Sequence, residues 1–269
     1  TRQMMLAQSL QSMETARIEA NRQARYISLS VAPVAPDEAT YPRAFENTVV
    51  AALIFAGIYL LISMTAAILR EQVSAGVNAG LSGLPNWTHD IGGFAVEDRF
   101  SKQDPAHLPE WRELYLRWFQ FGAFSPLFRS HGEFPSRESY IVSEGDPAML
   151  DGLTHYHRLR YRLLPYIYTL AAATHFDDAT ILRPLVMDFA SDRKAWEIDD
   201  QYLFGPSIMA APVAAFEARS RQVYLPEGSD WFDALSGKQV KGGQTVTAAA
   251  PRERMPLFVR AGAIIPVGP

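Results

Sequence analysis

A histidine and an aspartate stand side by side at His89 and Asp90, and two glycines, Gly92 and Gly93, follow almost at once. The run Leu81-Ser82-Gly83-Leu84-Pro85-Asn86-Trp87 leads into them, and Phe94 closes the stretch. That order suits a buried strand delivering polar side chains into a pocket at its carboxyl end, with the glycines letting the chain turn away. A second polar set, Arg129-Ser130-His131-Gly132, follows another short apolar run. His89, Asp90 and His131 are groups that a cation can use. No spaced ligand motif such as His-Glu-x-x-His accompanies them, so no metal and no cofactor is expected. His155 and His157 lie two apart on a helical stretch and point to different sides. Gly92-Gly93 lacks the following Lys-Ser/Thr, or the full Gly-x-Gly-x-x-Gly, of a phosphate loop. Arg158, Arg160 and Arg162 read as a solvated or ion-paired helix face.

These groups need elements to hold them. A short helix is expected to lead into a strand over residues 80–87, with a loop at 96–100. A helix over residues 109–124 follows, with Trp111, Leu114, Tyr115, Trp118 and Phe119 at helical spacing. A short strand at 126–132 precedes a long helix near 152–174, whose apolar side carries Leu159, Tyr161, Leu163, Tyr166, Ile167 and Leu170. Strand and helix alternating over short loops argue for a parallel α/β layout, and Asp90 and His131 then fall at strand carboxyl ends. After Asp178 the pattern changes. Short strands are expected at 182–189, 208–213, 221–225, 231–233, 244–248 and 257–265, which suggests a β-sandwich.

The opening part reads differently. Met5, Leu6, Leu10, Met13 and Ile18 recur at near-heptad spacing, and both a coiled-coil arm and an amphipathic surface helix fit. Pro33, Pro36 and Pro42 keep residues 30–43 extended. Residues 49–69 then run without a charge, from Arg43 and Glu46 on one side to Arg70 and Glu71 on the other. Such a run is long enough to cross a bilayer core of roughly 30 Å, and a buried core helix is the alternative. The spanning reading is preferred, because soluble cores seldom need so long a helix that is apolar all round. The expected division is a helical arm and Pro-rich stretch (1–48), an apolar helix (49–70), α/β units (71–178) and a β-sandwich (179–269).

The 269 residues suffice for a sizeable core. A net charge of -4 gives no reason to expect nucleic acid as a partner. The absence of cysteine excludes disulfides, thiolate zinc sites and cysteine nucleophiles. Aromatics reach 12%, which suits stacking on sugar faces, although a large aromatic core accounts for most of them. No signal peptide is visible, and both ends look cut.

Several stretches resemble the glycoside hydrolases of family 31, the α-glucosidases and α-xylosidases. They are the segment from Leu81 to Phe94, the segment from Glu110 to Gly132, and Arg160-Tyr161-Arg162-Leu163-Leu164-Pro165-Tyr166. Asp200 to Pro206, Ala211-Pro212-Val213, Tyr224 to Gly228 and Pro256 to Gly262 continue the likeness to the chain's end. The wording near Val96-Glu97-Asp98-Arg99-Phe100 looks most like bacterial α-xylosidases that trim xyloglucan. The resemblance implies the last units of a (β/α)8 barrel followed by a β-sandwich. It also implies that Asp90 and His131 hydrogen-bond sugar hydroxyls in the -1 subsite and that Trp87 and Phe94 wall the pocket. Arg129 would hold the Asp90 side, with an ordinary strand-end salt bridge as the alternative. The implied partner is an oligosaccharide, xyloglucan-type or α-glucan.

The family's nucleophile sits in a Trp-x-Asp-Met-Asn-Glu-like strand, and nothing of that form occurs here. Its acid/base aspartate lies in a Trp-x-Gly-Asp turn, and the corresponding position is Leu61. This chain alone is therefore expected to be inactive. Residues 1–71 resemble instead the carboxyl end of capsule-polysaccharide export proteins of the inner membrane, through Ala24-Arg25-Tyr26, Tyr41-Pro42-Arg43 and the run to Arg70-Glu71. Two hypotheses result. One is a glycosidase fragment joined near residues 70–74 to an unrelated membrane-protein tail, the parent enzyme being periplasmic or exported. The other is a membrane-anchored, inactive carbohydrate-binding or export-associated fusion, with membrane contact through residues 49–69.

Overall fold

A computed structural model gives the architecture. It describes residue 8, residues 10–19 and residues 44–269, without the side chains of residues 44–46 and 54–66. The proline-rich stretch at 30–43 and its resemblance lie outside the described residues. The chain divides into two compact units, Thr1–Ala56 and Gly57–Pro269.

In the first unit residues 10–19 are helical, with Leu10, Met13 and Ile18 exposed. Both readings of that arm stay open. Helix α1, Ala44–Leu81, begins in this unit, where Val49, Val50 and Leu53 are exposed. Among the described residues no helix is long and apolar enough to cross a membrane. The transmembrane reading of residues 49–69 thus gains no support, and the side chains of 54–66 at its centre lie outside the described residues.

In the second unit the last turns of α1 are part of the core. Leu69, Val73 and Val77 recur every four residues and are all buried. Gly76 lets the helix rest on the Trp87 indole, since a Cβ there would lie 2.8 Å from Nε1. The strand expected at 80–87 does not form. The helix runs on to Leu81, and Gly83, with φ +77, ends it. Leu84 N–H donates to Ala79 O at 2.9 Å and Gly83 N–H to Gly80 O at 3.1 Å, the paired bonds of a Schellman cap. The glycine read as part of a strand is a helix stop.

Beyond it two extended segments run side by side in the same direction. Leu127 N–H donates to Trp87 O at 3.2 Å, and Ile91 N–H donates to Arg129 O at 3.3 Å. The second falls within the strand expected at 126–132 and the first follows the one expected at 80–87, and neither is regular, because parallel strands depend on neighbours along both edges.

Helix α2, Leu108–Gly122, is buried on nearly every side. Pro109 suits its first turn, where an N–H would go unpaired. The long helix expected near 152–174 is two helices, α3 (Pro147–Arg162) and α4 (Leu164–Asp177). Pro165 explains the break: it donates no N–H, and its ring crowds the carbonyl four residues earlier. Leu163, Tyr166 and Leu170 are buried as expected, whereas Tyr161 is exposed. The buried face of α3 is carried by Met149, Leu153 and Tyr156.

The β-domain pairs every strand antiparallel. One sheet has the order β1-β2-β3-β8-β5-β6 and the other pairs β4 with β7. The strands are β1 Leu182–Pro184, β2 Tyr202–Phe204, β3 Ile208–Ala210, β4 Ser220–Leu225, β5 Asp230–Asp233, β6 Gln239–Lys241, β7 Gln244–Ala249 and β8 Leu257–Arg260. Alternation sorts the sheet's two faces. Leu203, Met209, Trp231 and Phe258 pack with Val223, Leu225 and Ala248 between the sheets. Tyr202, Phe204, Ile208 and Ala210 face the helices instead. β2 and β6 had not been expected as strands. The first of the expected strands is short, because the chain coils into one helical turn at Leu185–Asp188.

A buried charge cluster joins the helices to this domain. Arg117, 2% exposed, donates to Ala218 O at 2.8 Å, Ala250 O at 2.9 Å, Pro251 O at 3.1 Å and Arg254 O at 3.2 Å. Glu113 lies one turn back on α2, 3.5 Å from Arg117, and also receives Arg219 Nη2 at 3.0 Å.

Candidate functional site

Of the five residues expected to form a site, the two extended segments bring four together in direct pairs. Asp90 and Arg129, 39 positions apart, form an ion pair. The Asp90 side chain is 18% exposed and that of Arg129 52%, so the pair sits at a surface with the carboxylate on its inner side. The rings of Phe94 and His131 pack at 5.6 Å, tilted by 43°. Trp87 lies below, against Gly76 of α1, with its Nε1 buried and unpartnered by protein.

His89 does not join them. It is 5% exposed and stacks on Phe121 at 4.3 Å. Trp118 Nε1 donates to its Nδ1 at 2.9 Å, so its proton sits on Nε2, which faces Ser125 Oγ at 3.1 Å. Ser125 Oγ in turn donates to Phe121 O at 3.2 Å. Burial drives the imidazole pKa down to about 3, although Asp90 opposes the shift. His89 is a neutral packing residue that fixes the backbone just before Asp90. The described residues contain no cluster of metal-ligating side chains.

The turn after Asp90 is tight. Gly93 N–H donates to Asp90 O at 2.8 Å, and Gly92 and Gly93 have φ of +87 and +80, which side-chain-bearing residues rarely adopt. The facing loop approaches closely: Glu133 N–H donates to Phe94 O at 2.8 Å. A Cβ on Gly132 would lie 2.8 Å from Gly93 O.

Arginines missed in sequence support both loops. Arg137 is 8% exposed, donates from Nη2 to Gly93 O at 2.8 Å and reaches Pro135 O through Nη1. Its guanidinium lies 4.8 Å above the Trp111 ring. Tyr115, its hydroxyl pKa raised by burial, donates to Arg137 O at 2.6 Å. Arg160 had been read as a solvated or ion-paired face. It donates instead to Ala123 O at 3.0 Å, Ser125 O at 2.7 Å and Pro126 O at 2.8 Å. Burial lowers its pKa to about 10, so it stays charged at neutral pH. It anchors the chain just before Arg129. Arg158 and Arg162 are exposed. No periodic pattern announces such residues, because their acceptors are backbone carbonyls.

A cavity of about 400 Å³ lies behind the second segment, lined by Phe119, Phe128, Ser130, Arg137, Ser139 and His157 among others. Burial lowers the His157 pKa. Asp90, Arg129 and His131 do not line that cavity; Arg129 and His131 are exposed, and Phe94 is 50% exposed. A carboxylate, an imidazole and an aromatic ring are groups that suit hydrogen bonding to, and stacking on, a hydroxyl-rich ring.

Known proteins match the chain in two consecutive blocks. Residues 62–170 match the glycosyl hydrolases family 31 TIM-barrel domain, and residues 178–265 match the glycosyl hydrolase family 31 C-terminal domain. An α-xylosidase of Saccharolobus solfataricus is 40% identical over 202 residues, which are 75% of this chain and 26% of that protein. The crystal structure of a family 31 α-xylosidase from Xanthomonas citri is 60% identical with TM-score 0.73, over 75% of this chain and 22% of that one. A soil-metagenome α-xylosidase complexed with xylose is 38% identical with TM-score 0.60, over 71% of this chain and 30% of that one. The chain spans about a quarter of the length of the curated relatives it matches. These matches lend no support to the capsule-export resemblance or to a fusion. The barrel match begins at residue 62, ahead of the junction expected near residues 70–74.

Proposed function

Since residues 62–170 and 178–265 of this chain belong to glycosyl hydrolase family 31, we propose that it carries the sugar-binding half of a retaining α-xylosidase or α-glucosidase site. Asp90 accepts hydrogen bonds from hydroxyls of a terminal α-linked xylose or glucose in the -1 subsite, and His131 bonds a neighbouring hydroxyl. Phe94 offers an aromatic face, Arg129 holds the Asp90 carboxylate, and Trp87 backs the segment from below. The substrate would be a xyloglucan-type or α-glucan oligosaccharide. In this reading residues 71–178 are the distal part of the barrel and 179–269 the β-domain. The Asp90–Arg129 ion pair carries the reading, because it unites two loops around one open face.

A retaining hydrolase needs a second requirement met: two carboxyl groups about 5–5.5 Å apart, one as nucleophile and one as acid/base. The sequence motifs that supply both are missing from this chain, so it binds the sugar and does not cleave it. Ligand-detected NMR titration with methyl α-xyloside and methyl α-glucoside tests this. A charge-assisted bond is worth about 1.5–3 kcal/mol, so Asp90→Asn should weaken binding roughly tenfold to a hundredfold. His131→Ala should weaken it too, with an unchanged melting temperature. Equal binding by the parent chain and both variants would sink the reading. Turnover of an aryl α-xyloside that survives purification would sink the inactivity.

The uncharged run 49–69 carries a separate reading, membrane contact, supported by its composition and by the exposed Val49, Val50 and Leu53. Detergent phase partitioning should retain the chain, and a monodisperse species without detergent would end that idea.

A further inference from the structure

We propose that Arg137 is a positioning residue for the sugar face: a buried clamp that sets the Asp90–Phe94 turn against the loop carrying His131. This rests on the sugar-binding reading above. Arg137 does not belong to the open face. It is buried, and its contacts reach both loops at once.

From the first loop, Gly93 O accepts from Nη2 at 2.8 Å. From the second, Pro135 O accepts from Nη1, and Ser130 Oγ donates to the Arg137 carbonyl at 3.0 Å. The two glycines make room for it. A Cβ on Gly92 would come within 3.1 Å of Arg137 Nε, and one on Gly132 within 3.0 Å of Nη2. The Trp111 ring supports the guanidinium from α2. A planar fork can bridge two carbonyls on different loops, whereas an ammonium offers one point charge. The neighbouring cavity of about 400 Å³ leaves the second loop space to shift if the fork is lost. Phe94 and His131 would then separate, and Asp90 would lose the turn that aims it.

The experiment uses the full chain with Arg137→Ala and Arg137→Lys, titrated with methyl α-xyloside. Both variants should bind at least tenfold more weakly than the parent. Millimolar methylguanidinium should restore Arg137→Ala to within threefold of the parent, while the same concentration of sodium chloride should not. General loss of packing would not respond in that way. Amide exchange at Glu133, whose N–H bonds Phe94 O, gives a readout that needs no sugar. It should speed up at least tenfold in Arg137→Ala and recover with methylguanidinium. Parent-like binding by Arg137→Lys overturns the proposal, as does an unchanged Glu133 rate in Arg137→Ala. If the parent chain binds no sugar while Glu133 responds as expected, the sugar reading fails and the clamp stands as a structural device.

Discussion

The β-domain and the two extended segments of the proposed sugar face hold their backbones in opposite ways. Strands β4 and β7 pair antiparallel through a continuous register from Ser220 with Ala249 to Leu225 with Gln244. The segments around Trp87–Ile91 and Leu127–Arg129 share two backbone bonds. Each antiparallel strand here finds its partner within the β-domain itself, whereas parallel strands rely on neighbours along both edges. The sugar face compensates with arginines. Arg137, Arg160 and Arg129 supply the cross-links that a sheet would otherwise provide. Order in one region comes from ladders, and in the other from side chains reaching carbonyls.

That contrast can be broken experimentally. The largest effects should come where the regions are self-contained or joined. Arg117→Met leaves Glu113 to Arg219 alone and takes the donor from the carbonyls of Ala218, Ala250, Pro251 and Arg254, and should cost about 3–5 kcal/mol in urea unfolding. Trp231→Ala empties a fully buried position between the sheets and should cost about 3–5 kcal/mol as well. A loss under about 1 kcal/mol in either would contradict the packing described.

Next comes acid. The folded-state pKa of His89 lies below its unfolded value, near 3 against 6.5. Below pH 6.5 the unfolded chain takes up a proton that the folded chain refuses, so acidification favours unfolding until pH 3. At about 1.4 kcal/mol per pH unit, this destabilises the fold by about 2 kcal/mol between pH 7 and pH 5. His89→Gln should remove that slope while lowering stability at pH 7, and an identical slope in the variant would refute the buried neutral ring. Gly132→Ala should cost about 1–3 kcal/mol through its clash with Gly93 O, and should weaken sugar binding with it. The smallest effect belongs to Leu127→Ala, at a position 51% exposed, where surface behaviour predicts a change within about 0.5 kcal/mol. A much larger loss there would show that the segment is held as firmly as the β-domain.

Much of this was legible beforehand. The buried face of α2 followed from the spacing of Trp111, Leu114, Tyr115, Trp118 and Phe119, and most strands of the β-domain from alternation between turn residues. What escaped had physical reasons. Gly83 reads the same in a strand as in a helix cap until the bonds of Leu84 and Ala79 are seen. Pro165 was visible in the sequence, yet the apolar pattern ran through it and suggested one helix where there are two. His89 and Asp90 are adjacent and of similar polarity, and only the structure separates the buried, packed imidazole from the partly exposed carboxylate paired with Arg129. Arg117, Arg137 and Arg160 bond carbonyls, which every residue possesses, so no motif marks their targets.

The Arg117 cluster has a consequence for recombination among relatives. Its acceptors are the main-chain oxygens at 218, 250, 251 and 254, and of these residues only Ala250 is fully buried. A chimera exchanging the whole carboxy-terminal module should therefore tolerate divergence in identity at 218, 251 and 254, with a small residue kept at the buried 250. It should tolerate almost none in loop length between them, since one inserted residue would carry the oxygens away from the guanidinium.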